Sequence, residues 1–60
     1  MIIKERIKEL RAKRGLTQKE LAEHFGMTRE VISAYENGHT LPSLDMLIKL
    51  ADFFGVTTDY

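Results

Sequence analysis

The sequence predicts an all-α domain, and three observations carry that reading. Four segments of about 8–12 residues repeat their apolar side chains at helical spacing, and none alternates strictly enough to be a strand. Turn signals separate them at short intervals: RGLT at 14–17, FGMT at 25–28, ENGHTLPS at 36–43 and FGVTTD at 54–59. A chain of 60 residues also has room for one domain only, expected to occupy 1–60. A chain this short buries only about 60% of the surface its unfolded form exposes. It has no cysteine, so neither a disulfide nor a thiolate metal site assists, and the 43% of apolar residues must form the core unaided.

The first helix is expected from about Ile3 to Lys13. Ile3, Ile7 and Leu10 stand at i, i+4 and i+7 and make one apolar stripe. Arg11, Lys13 and Arg14 then give a basic last turn ahead of Gly15, which suits both the helix dipole and a glycine terminator. TQKE opens the second helix as a capping box, with Thr17 at the N-cap and Glu20 three residues on. It continues through Leu21, Ala22 and Phe25 to Gly26.

Thr28 caps the third helix, Val31, Ile32 and Tyr35 form its inner face, and Asn37-Gly38 ends it. Pro42 and Ser43 announce the fourth. Its core stripe reads Leu44, Leu47, Leu50, Ala51 and Phe54, with Ile48 beside it, and Gly55 closes it. A further N-cap signal follows at Thr57 or Thr58. A helix start with no helix behind it points either to a natural chain that continues past Tyr60, the favoured expectation, or to an end that frays.

Several function classes are disfavoured. No apolar run approaches the roughly 18 residues of a membrane span. The N-terminus, MIIKERIKEL, is charged at every second or third residue and has no signal-peptide apolar region. A soluble, cytoplasmic protein is expected. Catalysis is not: the two serines read as a helix cap (Ser43) and an outward helix residue (Ser33), and His24 and His39 lie in different elements without a paired carboxylate or glycine-rich loop. A metal site needs at least three converging ligands, and Glu20, Glu23 and Glu36 are better explained by caps and surface. No metal, cofactor or small-molecule substrate is expected.

The net charge of zero divides unevenly, +4 over residues 1–20 and −4 over 21–60. Such a split marks either a polyanion-facing surface or an ordinary solvated helix. Residues 18–36 decide between them. Two short helices meet there at a tight turn containing Gly26, a geometry that sets helices at about 90–120°. Ala22 is small where the helices must approach, Gly26 accepts a left-handed backbone, and Ile32 reaches back into the crook.

In these features the chain resembles the helix-turn-helix domain of the phage repressor and Cro type, the Xre family. The likeness covers nearly the whole chain, through IKELRAKRGLTQKELAEHFGMT, YENG, LPSLDMLIKLADFFGV and TTDY. It implies a compact, lambda-repressor-like bundle of four to five helices, the fifth starting where this chain stops, with the paired helices at about 17–36. It further implies sequence-specific binding of double-stranded DNA, usually as a two-fold dimer on a palindromic operator and usually to regulate transcription, here as a repressor. The alternative on the same fold is an antitoxin or adaptor module that binds protein. Met46, Phe53, Ile48, Ile2 and Tyr60 lie outside the expected core and would serve dimerisation in either case.

The helix at about 28–36 would then lie in the major groove with its first residues on base edges. The residues pointing away from Val31, Ile32 and Tyr35 are Thr28, Arg29, Glu30, Ser33 and Ala34. Arg29 can fork to guanine O6 and N7, worth about 1–3 kcal/mol of discrimination, or remain a solvated or phosphate-facing cation. Glu30 either accepts from cytosine N4 or only favours the helix start through the dipole. Ser33 can reach a base or phosphate, and Ala34 only a thymine methyl.

Phosphate contacts are expected from Gln18 at the start of the second helix and from the loop Asn37, Gly38, His39 and Thr40, through backbone N–H groups and short side chains. His39, where many relatives carry Lys, weakens the loop's charge near neutral pH. The resemblance also pairs Arg11 with Glu36 in a structural salt bridge, the alternative being that Arg11 is one more surface cation.

Overall fold

The computed structural model describes residues 3–57, with side chains from residue 6 onward. Four helices follow in order: α1 (Ile3–Lys13), α2 (Gln18–His24), α3 (Arg29–Asn37) and α4 (Leu44–Phe54). There is no strand among the described residues, and none of these helices is long and apolar enough to cross a membrane. The expectations placed on Ile2, the Ile3 side chain, Thr58, Tyr60 and a fifth helix lie outside the described residues.

Local chemistry sets each helix boundary. Thr17 forms the full capping box: the Glu20 N–H donates to Thr17 Oγ1 at 3.0 Å, and the Thr17 N–H donates to Glu20 Oε1 at 2.8 Å. Thr28 and Ser43 accept from the N–H groups of Val31 and Met46 in the same way, at 3.4 and 3.2 Å.

The helix ends share one device. After α2, the Gly26 N–H bonds to Glu23 O and the Met27 N–H to Ala22 O, the bond pair of a Schellman motif. This pair requires a left-handed residue between the helix and the next segment, and Gly26 supplies it at φ +67°. The same pair closes the other three helices. Leu16, Met27 and Val56, each just after the terminating glycine, then pack against the core. His39, in the matching place after α3, is exposed, so that end alone carries no apolar staple.

Ile7, Leu10, Leu21, Ala22, Ile32, Leu47, Leu50, Ala51 and Phe54 form the buried core, and all nine lie on faces the periodicity assigned inward. α2 packs on α3, and α1 packs on both α3 and α4. Three assignments change. Leu44 was expected in the α4 stripe but is exposed: buried Pro42 takes the inward place where the chain enters α4, and the core stripe begins only at Leu47.

Met46 and Phe53 were expected outside the core but pack against it. Phe53 sits within an aromatic cluster, its ring 4.4 Å from His24, 5.5 Å from Phe25 and 5.0 Å from Phe54 between centroids. The third change follows from that cluster. The Arg14 guanidinium lies 5.0 Å over the Phe53 ring, within cation–π range. Arg6 pairs with Glu9 at 3.0 Å, and Arg11 is tied to Glu36. Three of the N-terminal cations are thus engaged within the fold, and the uneven charge along the sequence does not by itself mark a polyanion-facing surface.

Candidate nucleic-acid interface

α2, the glycine turn and α3 form one rigid device because both sides of the turn are fixed. Ala22 O receives the Met27 N–H at 2.8 Å, which ties the residue just before the α3 cap back to the middle of α2. Ala22 and Ile32 are both buried on the helix faces that meet. A larger side chain at 22 would push the helices apart.

α3 then turns the opposite face outward. Thr28, Arg29 and Glu30 are exposed at its first turn, and Ser33 and Ala34 are half-buried one turn on. Thr28 Oγ1 is occupied as a helix cap, which leaves its hydroxyl hydrogen to donate. Arg29 Nη2 lies 3.7 Å from Glu30 Oε2, both side chains well exposed. Such a pair contributes little to stability. The Asn37 side-chain amide donates to Ser33 Oγ at 3.3 Å, so these two expected contact residues share a bond along the helix.

The loop after α3 requires a correction. Its backbone N–H groups were expected to meet phosphate. Instead the Gly38 N–H donates to Tyr35 O at 3.3 Å, and the His39 and Thr40 N–H groups both converge on Ala34 O, at 2.9 and 3.4 Å. The helix end that makes the loop also consumes its amides. What Asn37, His39 and Thr40 still offer is their exposed side chains, and Gly38 offers only its shape, at φ +75°.

Behind this surface runs a chain of polar side chains. Glu36 is 2% exposed and Arg11 14%. Arg11 Nε donates to Glu36 Oε2 at 2.7 Å and Nη2 to Oε1 at 3.2 Å, while Nη1 donates to Leu16 O at 2.7 Å. One guanidinium thereby locks the turn after α1 to the last turn of α3. The Gln18 amide nitrogen donates to Glu36 Oε1 at 2.9 Å. Gln18 Oε1 in turn accepts from Arg29 Nη1 at 3.4 Å.

Burial works to raise the Glu36 carboxyl. Hydrogen bonds from Arg11 and Gln18, with the charges of Arg11 and Lys8, outweigh it and hold the group below its ordinary value. Gln18, expected only as a phosphate contact, therefore has its side chain engaged at both ends. Nothing local in the sequence signals this, because Gln18 and Glu36 lie 18 residues apart.

This two-helix geometry, with a buried Ala–Ile crook and an outward polar row, defines a helix-turn-helix domain. A helix-turn-helix family model matches residues 7–60. The HTH-type transcriptional regulator ImmR of Bacillus subtilis is 42% identical over 60 residues, all of this chain and 47% of that protein. An uncharacterised HTH-type transcriptional regulator of Methanocaldococcus jannaschii is 44% identical over 54 residues, 90% of this chain and 82% of that one. The transcriptional activator BcrR of Enterococcus faecalis is 37% identical over 59 residues, 98% of this chain and 29% of its own length. The chain belongs to the helix-turn-helix family of the phage repressor and Cro type, the Xre family. It spans about half the length of the ImmR relative.

Proposed function

We propose that this chain is a sequence-specific, double-stranded-DNA-binding domain of a transcriptional regulator. α3 enters the major groove, and Thr28, Arg29, Glu30, Ser33 and Ala34 face base edges. One observation carries the reading: a capped and glycine-closed helix pair holds α3 by its buried Ile32 while leaving its first turn, with Arg29, exposed. Gln18, through its backbone N–H and second amide hydrogen, and Asn37, His39 and Thr40, through their side chains, supply phosphate contacts that set register. Gly38 shapes the loop that presents them. The reading places the protein in the cytoplasm and makes it a repressor that acts by occupying a promoter.

The domain binds as a two-fold dimer on a palindromic site, with half-sites about 34–36 Å apart. Leu41, Leu44 and Ile48 are the exposed large apolar side chains among the described residues, at 65%, 58% and 50%. They replace Met46 and Phe53 as the dimerising group. Two half-sites on one duplex raise the effective concentration of the two copies and favour their pairing there.

Arg29 gives the sharpest test. Arg29→Ala is expected to relax preference at one base pair in each half-site, by about 1–3 kcal/mol, in a comparison of duplexes selected by the two proteins. Uniform weakening with unchanged preference at every position would remove Arg29 from the base-reading set.

A further inference from the structure

The face assigned to DNA carries little fixed positive charge. Of the residues placed on it, Arg29 is the one permanent cation and Glu30 the one anion, and the two lie 3.7 Å apart. Arg11 is tied to Glu36, and Arg14 lies over the Phe53 ring. From Asn37 to Leu44 the loop after α3 contains no Lys, Arg, Asp or Glu. Its one ionisable side chain is His39.

The fold holds that side chain outward. The His39 and Thr40 N–H groups converge on Ala34 O, which fixes the loop backbone to the end of α3 and leaves no amide to give. At the other three helix ends the residue after the terminating glycine is apolar and packs on the core, as Leu16, Met27 and Val56 do. His39 occupies the same place and is exposed. The charged and titratable groups on the flanking elements are Tyr35 and Glu36 of α3, Arg11 of α1, Lys19 of α2, and Asp45 and Lys49 of α4. Glu36 is held by Arg11 and Gln18. Among the described residues no hydrogen bond or ion pair joins any of these groups to the His39 ring.

We propose that His39 makes DNA binding proton-linked: its imidazole takes up a proton as a phosphate docks on the loop, so the domain holds DNA more tightly in mildly acid than in mildly alkaline solution. This rests on the reading of α3 as a major-groove helix. Imidazole is the side chain whose charge changes between about pH 5 and 8. A neutral ring gives phosphate one N–H, whereas a protonated ring gives a charge as well. Phosphate therefore favours the protonated form, and the complex binds more protons than the free domain. The added affinity is complete at acid pH and is lost as pH rises through the titration of the ring in the complex. Glu36, held below its ordinary value of 4.5, stays ionised across this range, so the support behind the loop does not change.

The test is affinity for the selected duplex across a salt series at about pH 5.5 and about pH 8, either side of the imidazole range. At the acid end binding should be tighter by roughly fivefold for each copy bound. The slope of log affinity against log salt should be steeper there by about 0.9 per copy, for one more phosphate neutralised. His39→Gln should show the weaker binding and shallower slope at both pH values, and His39→Lys the tighter binding and steeper slope at both. His24→Gln should keep the full pH dependence, because His24 sits against Phe25 and Phe53, away from the DNA face. Equal affinity and slope at both pH values in the unaltered chain, or a difference that survives in His39→Gln, would overturn the proposal and leave the DNA reading standing. If no duplex is selected at either pH, the reading of α3 falls and the proposal falls with it.

Discussion

Arg11→Ala is expected to destabilise the domain by about 3–5 kcal/mol, since removing one partner of a buried ion pair strands the other. Glu36, whose side chain is 2% exposed in the intact fold, would be left with Gln18 as its side-chain hydrogen-bond donor, and Leu16 O would lose its donor. A domain of 60 residues has roughly 3–9 kcal/mol of stability in total. The loss is thus a large share of the total, and the urea midpoint of the variant, read by its helical circular dichroism, should fall to half or less of that of the unaltered chain. Replacing both partners with apolar residues, Arg11→Met with Glu36→Leu, should restore most of the loss, because the burial penalty disappears along with the pair.

The acid limb follows from the same pair. The Glu36 carboxyl is lowered from 4.5 in the fold. Its contribution is complete above that ordinary value and is lost as pH falls from there through the lowered one. The double variant should lack this part of the acid dependence. A loss for Arg11→Ala below about 1 kcal/mol, the range of exposed pairs, would show that solvent already satisfies the pair.

Ile32→Ala should cost about 2–5 kcal/mol, the range for emptying a fully packed aliphatic site. Ile32 is completely buried and faces the α2 side of the turn with Leu21 and Ala22. Its loss therefore opens a cavity at the joint that sets the projection of α3. Ile32→Val should cost only about 0.5–1.5 kcal/mol. Once the unfolded fraction is subtracted, Ile32→Ala should weaken all duplexes alike, because it touches no base. Urea midpoints together with binding to matched and mismatched duplexes check this, and a change of preference at a single base pair would show that α3 docks differently.

Much of this was legible in the sequence because it is local. Caps at Thr17, Thr28 and Ser43 need only the three residues that follow them, and glycine stops need only the helix before them. Periodicity found the nine residues of the buried core cluster among the described residues. It failed where angle around a helix is insufficient. Leu44 has a suitable angle but stands at the very start of α4, beside the Pro42 that takes the inward place. Phe53 looked outward until His24 and Phe25 arrived from α2.

The glycine after α3 was read twice, as a helix stop and as a source of free amides, and the first role excludes the second. The Arg11–Glu36 pair came from the resemblance. The extension through Gln18 to Arg29 required the fold, since it joins three helices that no local window contains.

The most direct test is selection from a randomised duplex library at two salt concentrations. DNA reading by α3 requires an enriched, roughly palindromic sequence with half-sites about one helical turn apart. It also requires an affinity whose logarithm falls by about 0.9 per logarithm of salt for each phosphate neutralised. A library that emerges unenriched, with binding indifferent to salt, would contradict it.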